Sequence, residues 1–308
     1  MTSEQLFYDK KTGFDRLTEA DRQGIQTYAE GYKTFLDEAK TERDAVKEIA
    51  RMAEAKGFRA WTRDDTLKTG DKIYRINRHK GIMLAVIGEK SLAEGVRLTA
   101  AHLDAPRVDI RTVPLYEDNG MAFFKTHYYG GIKKYQWTTI PLELRGVVCV
   151  CDKGEVKRVE VRVGDKPGDP KFVITDLLPH LAGEQNGRKL SEGIKGEELN
   201  VVIGSLPYED SKDVKEAVKL KVLALLNQYY GMTEKDFIRA EIEMVPAYRA
   251  VDIGLDRGMV GAYGQDDRVC AYTALQAEMG VTDPVYTTMT ILADKEAIGS
   301  LGVTGMQS

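Results

Sequence analysis

Arg97-Leu98-Thr99-Ala100-Ala101 runs directly into His102-Leu103-Asp104-Ala105-Pro106. The stretch reads as a short strand that delivers a histidine at its carboxyl end, where α/β folds place their ligands. On an extended backbone, residues two apart leave the same face, so the His102 imidazole and the Asp104 carboxylate can serve one metal ion. Neutral imidazole is a strong zinc ligand, and a carboxylate behind it can accept from the other ring nitrogen and fix the tautomer. A lone His-x-Asp is a weak signal, so the reading requires partners elsewhere in the chain.

Upstream, Ile73 to Ile76 and Ile82 to Ile87 are short apolar or alternating runs broken by turn residues, and they read as strands. The segment before them, Thr18 to Lys56, is helical. Thr18 and Thr41 each precede an aspartate by three residues (Asp21, Asp44), a capping box with a shorter acid. Ile25, Tyr28, Tyr32 and Phe35 form one apolar stripe; Val46, Ile49, Ala50 and Ala53 form a second, which Gly57 ends.

Downstream the character changes. From Thr112 to Met244 the chain carries alternating runs such as Val156 to Val163, turn clusters such as Gly164 to Pro170, and one amphipathic helix around Val214 to Tyr229. Gly183 to Glu198 reads as a long, mobile polar turn with little to anchor it. After Pro246 the α/β pattern resumes with a strand at Ala250 to Gly254, a helix from about Arg268 to Met279 and a strand at Thr287 to Leu292. The expected architecture is therefore an α/β domain (1–111 and 247–308) interrupted by a β-rich insertion (112–246).

The composition, 308 residues with 43% hydrophobic, fits a globular protein with a sizeable core. A net charge of -4 and the lack of an Arg/Lys-dense face argue against nucleic acid as a partner. Lys212, Lys215 and Lys219, interleaved with Asp213 and Glu216, read as a solvated helix face. Met1-Thr2-Ser3-Glu4-Gln5 lacks a signal-peptide pattern, and no apolar run approaches a membrane span, so a cytoplasmic protein with no membrane partner is expected. Three cysteines, Cys149, Cys151 and Cys270, make no disulfide framework; Cys149-Val150-Cys151 lies on an expected strand with both thiols on one face and reads as buried packing.

Two later stretches offer the partners that His102 needs. Gly264-Gln265-Asp266-Asp267-Arg268 lies at the mouth of a helix, where amides and the dipole favour carboxylates. Asp266 there either bridges metal ions or caps the helix. Asp294-Lys295-Glu296-Ala297-Ile298-Gly299-Ser300 follows a strand, and Glu296 is either a general base or an exposed loop acid. His79 and His180 lie in polar or exposed settings and invite no role.

Together with Tyr128-Tyr129-Gly130-Gly131-Ile132, these stretches resemble, in order and spacing, the motifs of the aspartyl aminopeptidase-like di-zinc metallopeptidases of the aminopeptidase I type. The resemblance covers nearly the whole chain. It implies a phosphorylase/hydrolase-like three-layer α/β catalytic domain, an inserted dimerisation domain, two zinc ions, and removal of single residues from the N-termini of peptide substrates. It further implies a homo-oligomer in which dimers build a dodecamer. Carried across, His102 ligates zinc and Asp104 orients it; Asp266 bridges the metals, joined to Asp267 by a peptide bond that is often cis in relatives. Glu296 is the general base. His127 is the candidate that reaches a neighbouring subunit's substrate pocket.

Two departures shape the expectation for activity. The family places a second, metal-binding glutamate where this chain has Ala297, and it draws a late carboxylate and a last histidine from sequence beyond position 308. A truncated chain with an impaired centre is expected. The alternative is an inactive homologue serving as an assembly or regulatory subunit, and a third class is an amidohydrolase acting on acylated amino acids. An acidic or a broad side-chain preference fits the motifs equally well.

Overall fold

A computed structural model describes residues 6–8, 10–209 and 214–307. The expectations for Met1 to Gln5, Lys212 and Asp213 lie outside the described residues. Two sheets, each with its own core, organise the chain.

The first sheet has five strands: β1 (Arg59–Ala60), β2 (Lys72–Asn77), β3 (Gly81–Val86), β4 (Arg97–His102) and the last strand, β14 (Thr288–Ala293). Their order is β1-β2-β3-β14-β4. β14 runs antiparallel to β3 and parallel to β4, with Ala293 level with His102. Parallel pairing brings two carboxyl ends, 191 residues apart in sequence, to the same end of the sheet.

Helices α1 (Glu19–Glu38), α2 (Glu42–Glu54) and the last helix, α4 (Gln265–Met279), share one core with this sheet. Ile82, Leu84 and Val86 alternate along β3 and meet Phe35, Ile49, Leu275 and Leu292. The opposite side is partly open among the described residues, with Leu98 of the edge strand β4 55% exposed. Thr18 caps α1 with the expected box: its hydroxyl accepts from the Asp21 amide and the Asp21 carboxylate accepts from the Thr18 amide. At α2 only half of the box forms. Thr41 accepts from the Asp44 amide, whereas the Asp44 carboxylate accepts from Arg145 and Arg162 of the other sheet. The α1 stripe is likewise half used: Tyr32 and Phe35 are buried, but Ile25 and Tyr28 lie on the outer part of the helix and remain exposed.

The second sheet is antiparallel throughout, in the order β8-β7-β11-β5-β6-β10-β9. Its strands are β5 (Arg107–Asp118), β6 (Met121–Tyr129), β7 (Leu142–Asp152), β8 (Glu155–Val163), β9 (Val173–Ile174), β10 (Val201–Gly204) and β11 (Ala240–Pro246). Helix α3 (Ala217–Tyr230) covers it through Val218 and Val222. The segment Gly183 to Glu198, expected to be a mobile turn, is folded. It contains a helical turn at Gly183–Asn186, it buries Ile194, and Arg188 pairs with Glu184 and Glu198.

The strand expected at Ala250 to Gly254 forms as Val251–Ile253 (β12); among the described residues it pairs with Met259–Gly261 (β13) as a separate hairpin and does not join the five-stranded sheet. No described helix is long and apolar enough to cross a membrane.

The two sheets meet through buried charge. Arg107 pairs with Glu42 of α2 and with Glu243 of β11, and Lys80 pairs with Glu42 and Glu241. These three acids lie close enough to suggest a cation site, but Arg107, Lys80 and Arg43 already supply the positive charge. Among the causes acting on Glu42, the lysine and the arginine hold its carboxyl well below the usual range against the opposing effect of burial.

Candidate metal centre

His102 ends β4, and the pairing with β14 continues one step beyond it, the Leu103 amide donating to Ala293 O at 2.7 Å. Asp104 and the turn after β14 therefore emerge side by side. The first turn of α4 closes the site from the other direction and is pinned to α1: Tyr32 donates to Gln265 Oε1 at 2.7 Å, and Arg268 Nε donates to Ala39 O, beyond the end of α1, at 2.6 Å. Gly264, at φ +74°, is the N-cap and has no side chain with which to cap the helix. The Asp267 carboxylate is drawn to its own backbone amide, whereas Asp266 faces the imidazole.

Four carboxylates converge on one imidazole. His102 Nδ1 lies 3.8 Å from Asp104 Oδ1, 3.8 Å from Asp267 Oδ1 and 3.9 Å from Glu296 Oε2; Nε2 lies 3.9 Å from Asp266 Oδ2. His102, Asp266 and Asp267 each offer a donor atom within 4.8 Å of the others. The side chains of Asp266 and Glu296 are 94% and 56% exposed, so ligand and solvent can reach them, whereas that of Asp267 is only 5% exposed. Burial pushes the Asp267 carboxyl up to about 6, with the Asp266 charge adding to the rise and Arg268 and His102 opposing it. Sequence reasoning missed Asp267 as a possible ligand; the Asp-Asp doublet at a helix mouth was the available signal.

The structure gives Asp104 a different task from orienting the ring through its carboxylate. The ring instead meets the Asp104 backbone, Nδ1 to O at 3.2 Å. The carboxylate, fully buried, accepts from the amides of Glu296 and Ala297, both at 3.0 Å, and from the Tyr129 hydroxyl at 2.8 Å. His127 joins none of these contacts among the described residues. It is exposed on β6, level with Asp109 of β5, its ring edge-on to Tyr128. No described peptide bond is cis, so the Asp266–Asp267 bond is trans here.

An open cleft of about 430 Å³ adjoins the carboxylates, lined by Pro106, Ile132, Lys133, Trp137, Tyr263 and Asp266 among others. A larger cleft, about 950 Å³, lies between α2 and strands β7 and β8; several of its charges are paired, as in Lys47–Glu160 and Arg162–Asp44, and His102 is not in its lining.

Residues 35–308 match the profile of the Aminopeptidase I zinc metalloprotease (M18) family. The chain is a member of the M18 family. It is 44% identical over 307 residues to the "Probable M18 family aminopeptidase 1" of Clostridium acetobutylicum, covering 98% of this chain and 65% of that protein. The crystal structure of an M18 aminopeptidase from Thermotoga maritima superposes with a TM-score of 0.89 at 44% identity, over 97% of this chain and 64% of that one. Aminopeptidase I from C. acetobutylicum gives a TM-score of 0.88 at 39% identity, over 98% of this chain and 66% of that one. This M18 chain thus spans just under two thirds of the length of these relatives. The mixed α/β fold expected from the sequence is the fold of the family.

Proposed function

We propose that this M18 chain is a zinc-dependent aminopeptidase, impaired by Ala297, that removes single residues from peptide N-termini. The observation that carries the reading is the gathering of His102, Asp266, Asp267 and Glu296 from three separate segments. One imidazole and two carboxylates are the nitrogen and oxygen donors that a catalytic zinc takes from protein, and three such ligands leave a position open. His102, Asp266 and Asp267 would hold the ion, which supplies Lewis acidity toward the peptide carbonyl. Glu296 accepts a proton from the attacking water and returns it to the departing amine. Asp104 keeps the Glu296 turn in place. Two zinc ions per site, as in the family resemblance, belong to the proposal; the donors found for one ion support the first of them.

Lys133, in the cleft beside Asp266, is the basic residue that an acidic side-chain preference would need, and Ile132 and Trp137 in the same cleft suit a broad one. His127 is offered to the pocket of a neighbouring copy. A homo-oligomer is part of the same reading, supported by a related fold solved as the S. cerevisiae mApe1 dodecamer, and sedimentation velocity reads it directly. The division into catalytic residues 1–111 and 247–308 around a dimerising unit of 112–246 is supported by the separate antiparallel sheet, whose first strand begins slightly earlier, at Arg107. We place the protein in the cytoplasm on its sequence alone.

Ala297 favours a second reading. Its methyl group offers no donor where the family resemblance implies a ligand, which suits an inactive assembly or regulatory subunit or an impaired enzyme. Zinc analysis after dialysis, with hydrolysis of a dipeptide amide, separates the two. Bound zinc with N-terminal release that Glu296→Gln lowers by about a thousandfold, within the range that loss of a general base usually removes, supports the enzyme. Absence of both zinc and turnover supports the inactive subunit.

A further inference from the structure

We propose that Tyr129, the last residue of β6, is a positioning residue for the Glu296 turn, so that the seven-stranded sheet sets the place of the group assigned as the base. The proposal rests on that assignment and adds to it a residue from the other sheet.

Asp104 is the intermediary. One of its oxygens accepts from the Glu296 amide, and the other is shared by the Ala297 amide and the Tyr129 hydroxyl. The carboxylate is fully buried, so no water competes for it and its orientation depends on these three donors. Removing the phenolic donor leaves Oδ2 held by one amide alone, and the turn loses the fixed acceptor that places Glu296 next to His102.

The tyrosine ring is itself held from both sheets. The Arg107 guanidinium lies 4.1 Å from the ring centroid, and Arg107 is anchored by Glu42, Glu243 and Asp109. Lys295, the residue before Glu296, places its ammonium 5.6 Å from the same centroid. The next residue, Gly130, has φ +69°, and a Cβ there would come within 3.0 Å of the Ala297 methyl and 3.4 Å of the Ala297 carbonyl oxygen. The chain leaving β6 therefore touches the turn twice, once through Asp104 and once by backbone contact. A tyrosine that only filled space would need neither the hydroxyl nor this terminus on the carboxylate of the turn.

Tyr129→Phe tests the proposal, since it keeps the ring and its cation contacts and removes only the hydroxyl. Amide exchange by NMR in the full chain is expected to quicken at Glu296 and Ala297 by about tenfold or more, as for loss of a hydrogen bond to a charged group. Leu292 and Ala293 of β14 should keep the parent rate. On zinc-loaded chain, turnover of a dipeptide amide should fall by about tenfold in kcat, with KM unchanged within about twofold. Unchanged exchange at Glu296 and Ala297 overturns the proposal, and so does equal acceleration at Leu292 and Ala293, which marks a general loosening. Unchanged kcat beside an inactive Glu296→Gln overturns it as well. A Glu296→Gln variant that keeps full activity refutes the base assignment instead, and the exchange rates then decide the role of Tyr129; they also decide it if the chain turns over no peptide.

Discussion

Asp267 is the residue whose charge the fold opposes most openly at the site. Its carboxyl, ordinarily near 3.8, is raised to about 6 by burial with Asp266 alongside. The metal-free folded chain therefore holds this proton more tightly than the unfolded chain does. The contribution to stability is complete below pH about 4 and is lost as pH rises through about 6. Thermal melts of metal-free protein should show that decline, and Asp267→Asn should flatten it across the same window. Zinc affinity should rise between pH 5 and pH 7, because the proton and the ion compete for one carboxylate; calorimetric titration at the two pH values checks it. His102 was legible as a candidate ligand from its strand-end position. The use of Asp104 was not, because which donors reach a buried carboxylate depends on segments distant in sequence.

At the scale of elements, the parallel pair β4 and β14 does the gathering, and the buried charges around α2, β5 and β11 fix the junction. Arg107 is nearly fully buried and faces Glu42 and Glu243, both of which are also buried. Arg107→Met should cost about 3–5 kcal/mol in urea unfolding, the usual consequence of leaving buried acids without their cation. Strands β2, β3, β4 and β14 and helices α1 and α2 were readable from periodicity and caps. The pairing of β12 was not, since a short apolar run carries no mark of the partner it will choose. Nor was the half-used cap of α2: the sequence shows the Thr41-to-Asp44 spacing, whereas Arg145 and Arg162, which claim that acid, arrive from another sheet.

For the whole molecule, two cores joined by one ionic seam should unfold together as long as the seam holds. Trp61 follows β1, and Trp137 is buried in the second core, so the two tryptophans report on different sheets. In single-tryptophan variants of the parent chain, fluorescence midpoints in urea should coincide. Adding Arg107→Met should separate them, with coincident midpoints in that variant showing that other contacts couple the sheets.

What the sequence determined alone were the local and patterned features: an α/β part, a β-rich middle, the strand that ends in His102, and the motifs that resemble the M18 family. Those follow from side-chain periodicity, turn chemistry and spacing, which act over a few residues. Only the tertiary structure decided that Asp267 joins Asp266 beside the imidazole, that Asp104 holds the Glu296 turn, and that Tyr129 reaches it from the other sheet. Burial, desolvation and hydrogen-bond partnership at those positions arise between segments up to nearly two hundred residues apart, and no local pattern encodes them.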